Sequence, residues 1–153
     1  MLIDTLNPDS QAASRLISLS DAYMASLYPA ESNHMMNQQE LKSPDTHFIG
    51  VHCDKEVIGC GAVKSVKEDV HYGEIKRVFV PVEHRGKGLS KLIMQALEDH
   101  LRSMNIAVAR LETGARQPEA IQLYKKLGYR ECGPFGKYTH DPLSVFMEKE
   151  LAS

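Results

Sequence analysis

The chain has 153 residues, 42% of them hydrophobic and 25% charged, and its formal net charge is −2 at pH 7. This length fits one domain with a hydrophobic core, and the composition is typical of soluble globular proteins. The charge gives no reason to expect nucleic acid or an anionic membrane as a partner, and no basic leader or membrane-spanning apolar run occurs.

The first half of the chain predicts helices followed by strands. Pro8 and Asp9 are typical of a helix start, and apolar residues then recur at helical spacing as far as Tyr23. A polar segment follows that can hold a short second helix around Met35 to Leu41. Three strands are predicted next, with the sequences HFIGVHCD, EVIGCGAVKSV and HYGEIKRVFV. The tight CDKE turn predicts that the first two form an antiparallel hairpin.

The second half alternates between helices and strands. An apolar stripe after Gly88 predicts the clearest helix of the chain, and AVARLETG reads as a buried strand. Pro118 suits the first turn of another helix, which Gly128 is placed to end. YRECGPF and SVFMEKEL are predicted to be the closing strands. The predicted order is therefore α(α)βββαβαββ, one mixed α/β domain over residues 1–153.

The segment VFVPVEHRGKGLSKLI, residues 78–93, suggests a strand, a turn and a helix start. A dinucleotide fingerprint would need a third glycine where Lys91 stands, and the Walker A pattern is absent. A third interpretation is an anion cradle made of backbone N–H groups at the helix N-terminus, with room left by Gly86 and Gly88 and a charge from Arg85. A tight turn without a ligand remains the structural alternative.

The segment RGKGLS resembles the Arg/Gln-x-x-Gly-x-Gly/Ala signature of the GNAT superfamily of N-acetyltransferases. Arg85, Gly88 and Ser90 stand at its defined positions, although Ser90 replaces the usual Gly or Ala. GEIKRVFVPVEHRGKGLSKLI and RLETGARQPEAIQLYKKLGY are similar, in order, to the family's central strand, cofactor helix, next strand and following helix. The similarity runs from about Val57 to Leu151. It implies an α/β fold whose central, mostly antiparallel sheet contains a splayed strand pair and is flanked by helices.

The resemblance also implies acetyl-CoA as the co-substrate. The amides of the turn would hold its pyrophosphate, with the residues Arg85, Gly86, Lys87, Gly88, Leu89 and Ser90. The strand residues Val78, Phe79 and Val80 would bind the pantetheine arm, and the Val78 N–H would stabilise the tetrahedral oxyanion formed by direct attack of a primary amine. Gln117 occupies a position where the family frequently has an asparagine that contacts pantetheine.

Two residues are the predicted catalytic groups. Tyr124, in LYKKLGY, matches the family's tyrosine near the sulfur and would protonate the leaving thiolate, unless it only packs its helix. Glu74 is the predicted base, with a plain ion pair to Lys76 as the alternative. Glu112 is the second candidate for the base and is also compatible with a structural or substrate-binding role. A proton outlet through water, with no single base, stays open.

The acceptor side is predicted from two segments. YPAESNHMM contains His34, and in the family such a segment lines the acceptor; a surface helix start with two core methionines is the alternative. KYTHDPLS can approach from the other side with Tyr138. The predicted substrate-binding residues are Glu112, His34 and Tyr138.

The predicted function is transfer of an acetyl group to the primary amine of a small molecule, such as an amino acid or an amino sugar. Protein Nα- or lysine-acetylation and a non-catalytic CoA-binding regulator are the alternatives. The seven histidines and three cysteines lack ligand spacing, so no metal is expected. The odd number of cysteines, with no CxxC, favours reduced thiols and a cytoplasmic location. A homodimer stays open.

Overall fold

The computed structural model describes residues 1–33, 35–68 and 70–151. The strands are β1 Leu2–Thr5, β2 Thr46–Cys53, β3 Glu56–Lys67, β4 His71–Phe79, β5 Val108–Gly114, β6 Arg130–Cys132 and β7 Ser144–Glu150. The helices are α1 Gln11–Leu27, α2 Gln38–Leu41, α3 Leu89–Ser103 and α4 Pro118–Lys126. Within the described ranges, none of the helices combines the length and the apolar character needed to cross a membrane.

The strands form one mixed sheet in the order β1-β2-β3-β4-β5-β7-β6. Every neighbouring pair is antiparallel except β4 and β5, which are parallel. The predicted hairpin is confirmed, since β2 and β3 are joined by a tight turn in which Cys53 is paired with Glu56. The predicted mixed α/β fold with a mostly antiparallel sheet is therefore confirmed.

The N-terminal region differs from the prediction. The sequence analysis placed no strand before the first helix, whereas β1 pairs along β2, with Leu2 opposite His52. Most of this short edge strand is exposed, so it lacks the alternation of buried and exposed residues that marks a half-buried strand. The first helix begins at Gln11 rather than near Pro8, because the Ser10 hydroxyl caps it by accepting a hydrogen bond from the Ala13 N–H at 3.1 Å.

The second helix is shorter than predicted. It begins at Gln38, after a capping box in which Asn37 and Glu40 exchange hydrogen bonds between side chain and backbone. Met35 and Met36 therefore lie in the segment before the helix, and Met36 is buried. This extended segment packs beside α1.

Glycines on the sheet set the position of α3. A Cβ atom at Gly61 would lie 2.5 Å from the Ile93 side chain, and one at Gly73 would lie 2.3 Å from Leu101. The absence of side chains lets α3 pack closely across β3 and β4, where Ile93 and Leu97 are fully buried. The N-terminus of α3 is thereby held beside the end of β4.

A buried carboxylate of α3 binds residues at the β6–β7 edge of the sheet. Glu98 is 4% exposed and accepts hydrogen bonds from the Tyr129 hydroxyl at 2.9 Å and from Lys149 Nζ at 2.8 Å. Its charge is compensated, which a buried carboxylate requires. Tyr129 therefore fills the core directly after the Gly128 turn.

The close contact between α3 and the sheet leads to a stability prediction. Replacing Gly73 with Ala should lower the free energy of unfolding by about 1–3 kcal/mol, because the new methyl group would overlap Leu101. Urea denaturation measures this change. Gly133→Ala is the matched control, since a Cβ there meets no atom within 4 Å; equal losses in both variants would contradict the packing argument.

Candidate active site

The parallel pairing of β4 and β5 is short. It covers the pairs Gly73–Ala109, Glu74–Arg110 and Ile75–Leu111, and it stops there. Beyond Ile75 the strand pairing between β4 and β5 ends and the two strands diverge. The splayed strand pair predicted from the resemblance is therefore present, and it opens between Lys76–Val80 on one side and Glu112–Gly114 on the other.

A β-bulge in β4 changes which side chains face the opening. Cys60 and Ala62 of β3 are paired with Phe79 and Lys76, so β4 carries one residue more than its partner over this stretch. Arg77 takes the strained backbone conformation, with φ +57°. As a result Lys76 and Arg77 both project toward the α1 side of the sheet, and Val78 packs on the α3 side.

The opening between the strands continues into a cleft of about 660 Å³. Strands β4 and β5, helices α1 and α4, and the turn before α3 all contribute to its walls. Of the predicted site residues, the following line it: Glu74, Val78, Phe79, Val80, Arg85, Gly86, Ser90, Glu112, Gln117, Tyr124 and Tyr138. The fold thus brings most of the sequence-predicted site into one cleft.

Three predicted cofactor-binding residues do not line this cleft. Leu89 is 3% exposed and its side chain belongs to the core beneath α3. Lys87 faces a separate, smaller depression together with His84. Gly88 is the N-cap of α3. Any contribution of these three to cofactor binding would come from their backbone or from the Lys87 charge. His34, predicted to contact the acceptor, lies outside the described residues.

The turn before α3 has the geometry of an anion site. Gly86 and Gly88 have φ values of +79° and +76°, which residues with a Cβ adopt only with strain. A Cβ at either position would meet no atom within 4 Å, so both glycines border open space. The first turn of α3 contains no acidic residue and has no side-chain cap, which leaves its N–H groups available to an anion.

Arg85 is held against the end of β4. Its Nε donates a hydrogen bond to the Val80 carbonyl at 2.9 Å, and its guanidinium lies 5.0 Å from the Tyr23 ring centroid. The positive charge therefore stands at a fixed place beside the glycine turn. The sequence analysis predicted this residue, but not its contact with α1.

Tyr124 lies on α4 at the apolar end of the cleft. Its side chain is buried, and burial raises the pKa of its phenol to about 12. Within the described part of the chain, its hydroxyl has no hydrogen-bond partner. A neutral phenol with a free O–H is a donor available to a group that enters the cleft.

Glu74 anchors a loop. Its Oε2 accepts a hydrogen bond from the Tyr138 hydroxyl at 2.5 Å and lies 3.5 Å from Lys76 Nζ. Lys76 also donates to the Tyr138 hydroxyl at 2.9 Å. The ion pair that the sequence analysis left open is therefore present, and Glu74 connects β4 to the segment between β6 and β7.

Glu112 has a different environment on the opposite strand. Its Oε2 accepts a hydrogen bond from the Ser144 hydroxyl at 2.8 Å. Burial raises the pKa of its carboxyl to about 7, although the Ser144 hydrogen bond and the Lys76 charge act in the opposite direction. A carboxyl with such a pKa changes its protonation state close to neutral pH, which suits a general base.

Three hydrogen bonds join distant segments of the chain beside the cleft, and we call this set of contacts the roof. The Ser32 hydroxyl donates to Asp141 Oδ2 at 2.6 Å. The Tyr28 hydroxyl donates to Gln117 Oε1 at 3.2 Å and accepts from the Arg116 N–H at 3.0 Å. These contacts join the segment after α1 to the segments that precede α4 and β7.

Sequence reasoning missed three residues of the site. Arg77 was missed because regular strand alternation would place its side chain on the α3 face, and only the bulge directs it to the other face. Ser32 and Asp141 lie in polar segments whose sequence gives no sign that they meet. The signal available for Arg77 was a second positive charge directly after Lys76, because regular alternation would place one of the two on the apolar α3 face.

Comparisons with known proteins extend these observations. A profile of the Acetyltransferase (GNAT) family matches residues 14–129. The IAA acetyltransferase of Azospirillum brasilense is 41% identical over 145 residues, which make up 95% of this chain and 94% of that protein.

Solved structures share the fold. A crystal structure from Klebsiella pneumoniae, described as an acyl-CoA N-acyltransferase, has a TM-score of 0.81 and 34% identity, and the match covers 99% of this chain and 97% of that one. An aminoglycoside 6'-N-acetyltransferase complexed with coenzyme A has a TM-score of 0.76 at 14% identity, with 100% and 98% of the two chains covered.

The family predicted from the RGKGLS segment and the order of the following elements is confirmed. With the profile match over residues 14–129 and a relative of 41% identity, the chain belongs to the Acetyltransferase (GNAT) family and is an acetyl-CoA-dependent N-acetyltransferase.

Proposed function

We propose that this enzyme transfers the acetyl group of acetyl-CoA to the primary amine of a small molecule. The observation that carries this proposal is the roof at the acceptor end. The hydrogen bond between Ser32 and Asp141 ties the segment after α1 to the segment before β7, and Ser32 lines the cleft. A bridge of this kind would leave less room for an extended polypeptide than for a compact amine.

The residues of the cleft fit acetyl-CoA. We assign the pyrophosphate to the turn at Gly86, the first-turn amides of α3 and the Arg85 guanidinium. The backbone from Val78 to Val80, which β5 leaves unpaired, would hydrogen-bond the pantetheine amides like an added strand. The Val78 N–H would then stabilise negative charge on the thioester oxygen.

Transfer requires two proton movements that the cleft can supply. As the amine nitrogen bonds to the acetyl carbon and the C–S bond breaks, the amine loses a proton and the thiolate gains one. We assign the first to Glu112, whose pKa is about 7, rather than to Glu74, whose carboxylate already binds Tyr138 and Lys76. We assign the second to the unpartnered phenol of Tyr124.

We also propose that residues 1–153 act as one catalytic unit. Strands from both ends of the chain, β1 and β7, belong to the same sheet. The cleft takes residues from Ser20 to Tyr138, so both halves of the chain contribute to it.

Release of CoA from acetyl-CoA, followed with a thiol reagent, tests the function. We expect turnover with at least one class of small amine among amino acids, polyamines and aminoglycosides, and slower turnover with peptides. Faster CoA release with peptides than with every small amine would contradict the small-molecule acceptor, and would leave the family assignment intact.

A pair of substitutions tests the pyrophosphate site. Gly86→Asp should weaken acetyl-CoA binding at least about tenfold more than Gly86→Asn, because a carboxylate in the turn would repel the anionic phosphates while the amide has the same size. Asn also tolerates positive φ, so both variants share the backbone strain at +79°. Calorimetric titration measures the difference, and equal affinities would remove Gly86 from the site.

The pH dependence of the rate tests the base. The wild-type kcat/KM should rise as the pH increases through about 7, because Glu112 must lose its proton before it can accept one from the amine. Glu112→Gln should remove this limb and lower kcat/KM by roughly 10²-fold. Glu74→Gln serves as the matched control and should keep the limb; a limb that survives in both variants would belong to the amine itself.

A further inference from the structure

Two cationic side chains stand next to each other on the floor of the acceptor end. In a regular strand Lys76 and Arg77 would point to opposite faces, but the bulge turns Arg77 to the α1 side of the sheet, the face that Lys76 already occupies. Both line the cleft. Holding Arg77 in this conformation requires φ +57°, a strain that the surrounding contacts must offset.

The guanidinium of Arg77 is buried and most of its donors are used. Its side chain is only 3% exposed. Nε donates to the Met36 carbonyl at 2.8 Å, and Nη1 donates to Ser20 at 3.2 Å and to Asp21 at 2.8 Å. These bonds hold the guanidinium in one orientation between α1 and the segment before α2.

One nitrogen of this group is left over. Arg77 Nη2 forms no hydrogen bond with the described residues, yet it is not among their fully enclosed unpartnered polar atoms, which are His52 Nε2 and His84 Nδ1. Arg77 lines the cleft, and Nη2 is the nitrogen of its guanidinium for which the described residues provide no acceptor. An oriented guanidinium with a free N–H is a typical partner for a carboxylate.

Each of the two cations has an acidic partner, and the partner of Arg77 is the more exposed to water. Glu74 compensates Lys76, and Asp21 is 55% exposed, so water screens its pairing with Arg77. Glu112 stands on the facing strand, and with a pKa of about 7 it carries only part of a negative charge at neutral pH. A further carboxylate, Asp141, accepts hydrogen bonds from the Ser32 hydroxyl and the Leu143 N–H.

We propose that the acetyl acceptor carries a carboxylate in addition to its primary amine. The carboxylate binds Arg77 Nη2, while the amine faces the Glu112 side of the gap between the strands. This rests on the proposed function, since it specifies the acceptor of the same reaction. A zwitterionic amino acid matches a floor that has cations on one strand and a carboxyl on the other.

Matched pairs of acceptors test the proposal on the wild-type enzyme. Glycine, β-alanine, γ-aminobutyrate and aspartate are each compared with the corresponding carboxamide by the initial rate of CoA release. We expect kcat/KM to be at least about tenfold higher for the best acid than for its amide. The amino group of each carboxamide is less basic than that of the matching acid, so a larger fraction of it is neutral at the assay pH. Intrinsic reactivity therefore favours the carboxamides. Equal or faster rates with every amide would overturn the proposal.

A substitution on the protein side gives a second measurement. Asp21→Asn removes the charge that competes for Arg77, so it should lower KM for the acid several-fold and leave KM for the amide unchanged. Asp9→Asn is the matched control, because Asp9 is 57% exposed and is paired at 2.7 Å with Lys42 outside the cleft. The same KM change with acid and amide, or in both variants, would contradict the role of Arg77.

The test separates this proposal from the proposed function. Turnover of amines without preference for acids would overturn the carboxylate and keep the small-molecule acceptor. If no amine is turned over, the proposed function fails. Calorimetric titration of the acid and of its carboxamide in the presence of CoA then tests the Arg77 site separately. Tighter binding of the acid would support the Arg77 site, and equal or absent binding would overturn it.

Discussion

The separation of β4 from β5 is the feature on which the rest of the site depends. The two strands pair over three residue pairs only, and the unpaired backbone beyond them forms a slot inside a sheet that is otherwise continuous. Unpaired strand groups are costly when they are buried, so such a slot favours a ligand that supplies amides. Helix α3 packs closely over Gly61 and Gly73, which places a helix N-terminus at the end of this slot. The gap in the sheet thus places a helix N-terminus, which suits an anion, next to unpaired strand groups, which suit the amides of a ligand.

The bulge at Arg77 changes the side-chain alternation within β4. Val78 lines the cleft, and Arg77 turns toward α1, where its hydrogen bonds to Ser20 and to the Met36 carbonyl tie β4 to α1 and to the segment before α2. Strain at one residue is offset by several contacts made by the same side chain. The backbone N–H to which we assign oxyanion stabilisation and the side chain to which we assign acceptor binding are therefore adjacent in the chain.

The order of elements from β2 to β7 and the glycine turn could be predicted from the sequence, because long periodic patterns and paired glycines are local signals. The prediction failed for β1, whose four residues are mostly exposed, and for the start of α1, where Ser10 rather than Pro8 provides the cap. Arg77 could not be placed, since one inserted residue reverses the side-chain alternation. The different environments of Glu74 and Glu112 depend on Tyr138 and Ser144, which lie far away in the sequence.

The roof contacts have a consequence for how the molecule fluctuates. Ser32 and Asp141 are 109 positions apart, and Tyr28 and Gln117 are 89 apart, so each contact closes a long stretch of chain with one or two hydrogen bonds. Segments held in this way open at a lower free energy than the central strands. Amide exchange in native protein should therefore distinguish a slowly exchanging sheet from more rapidly exchanging roof segments.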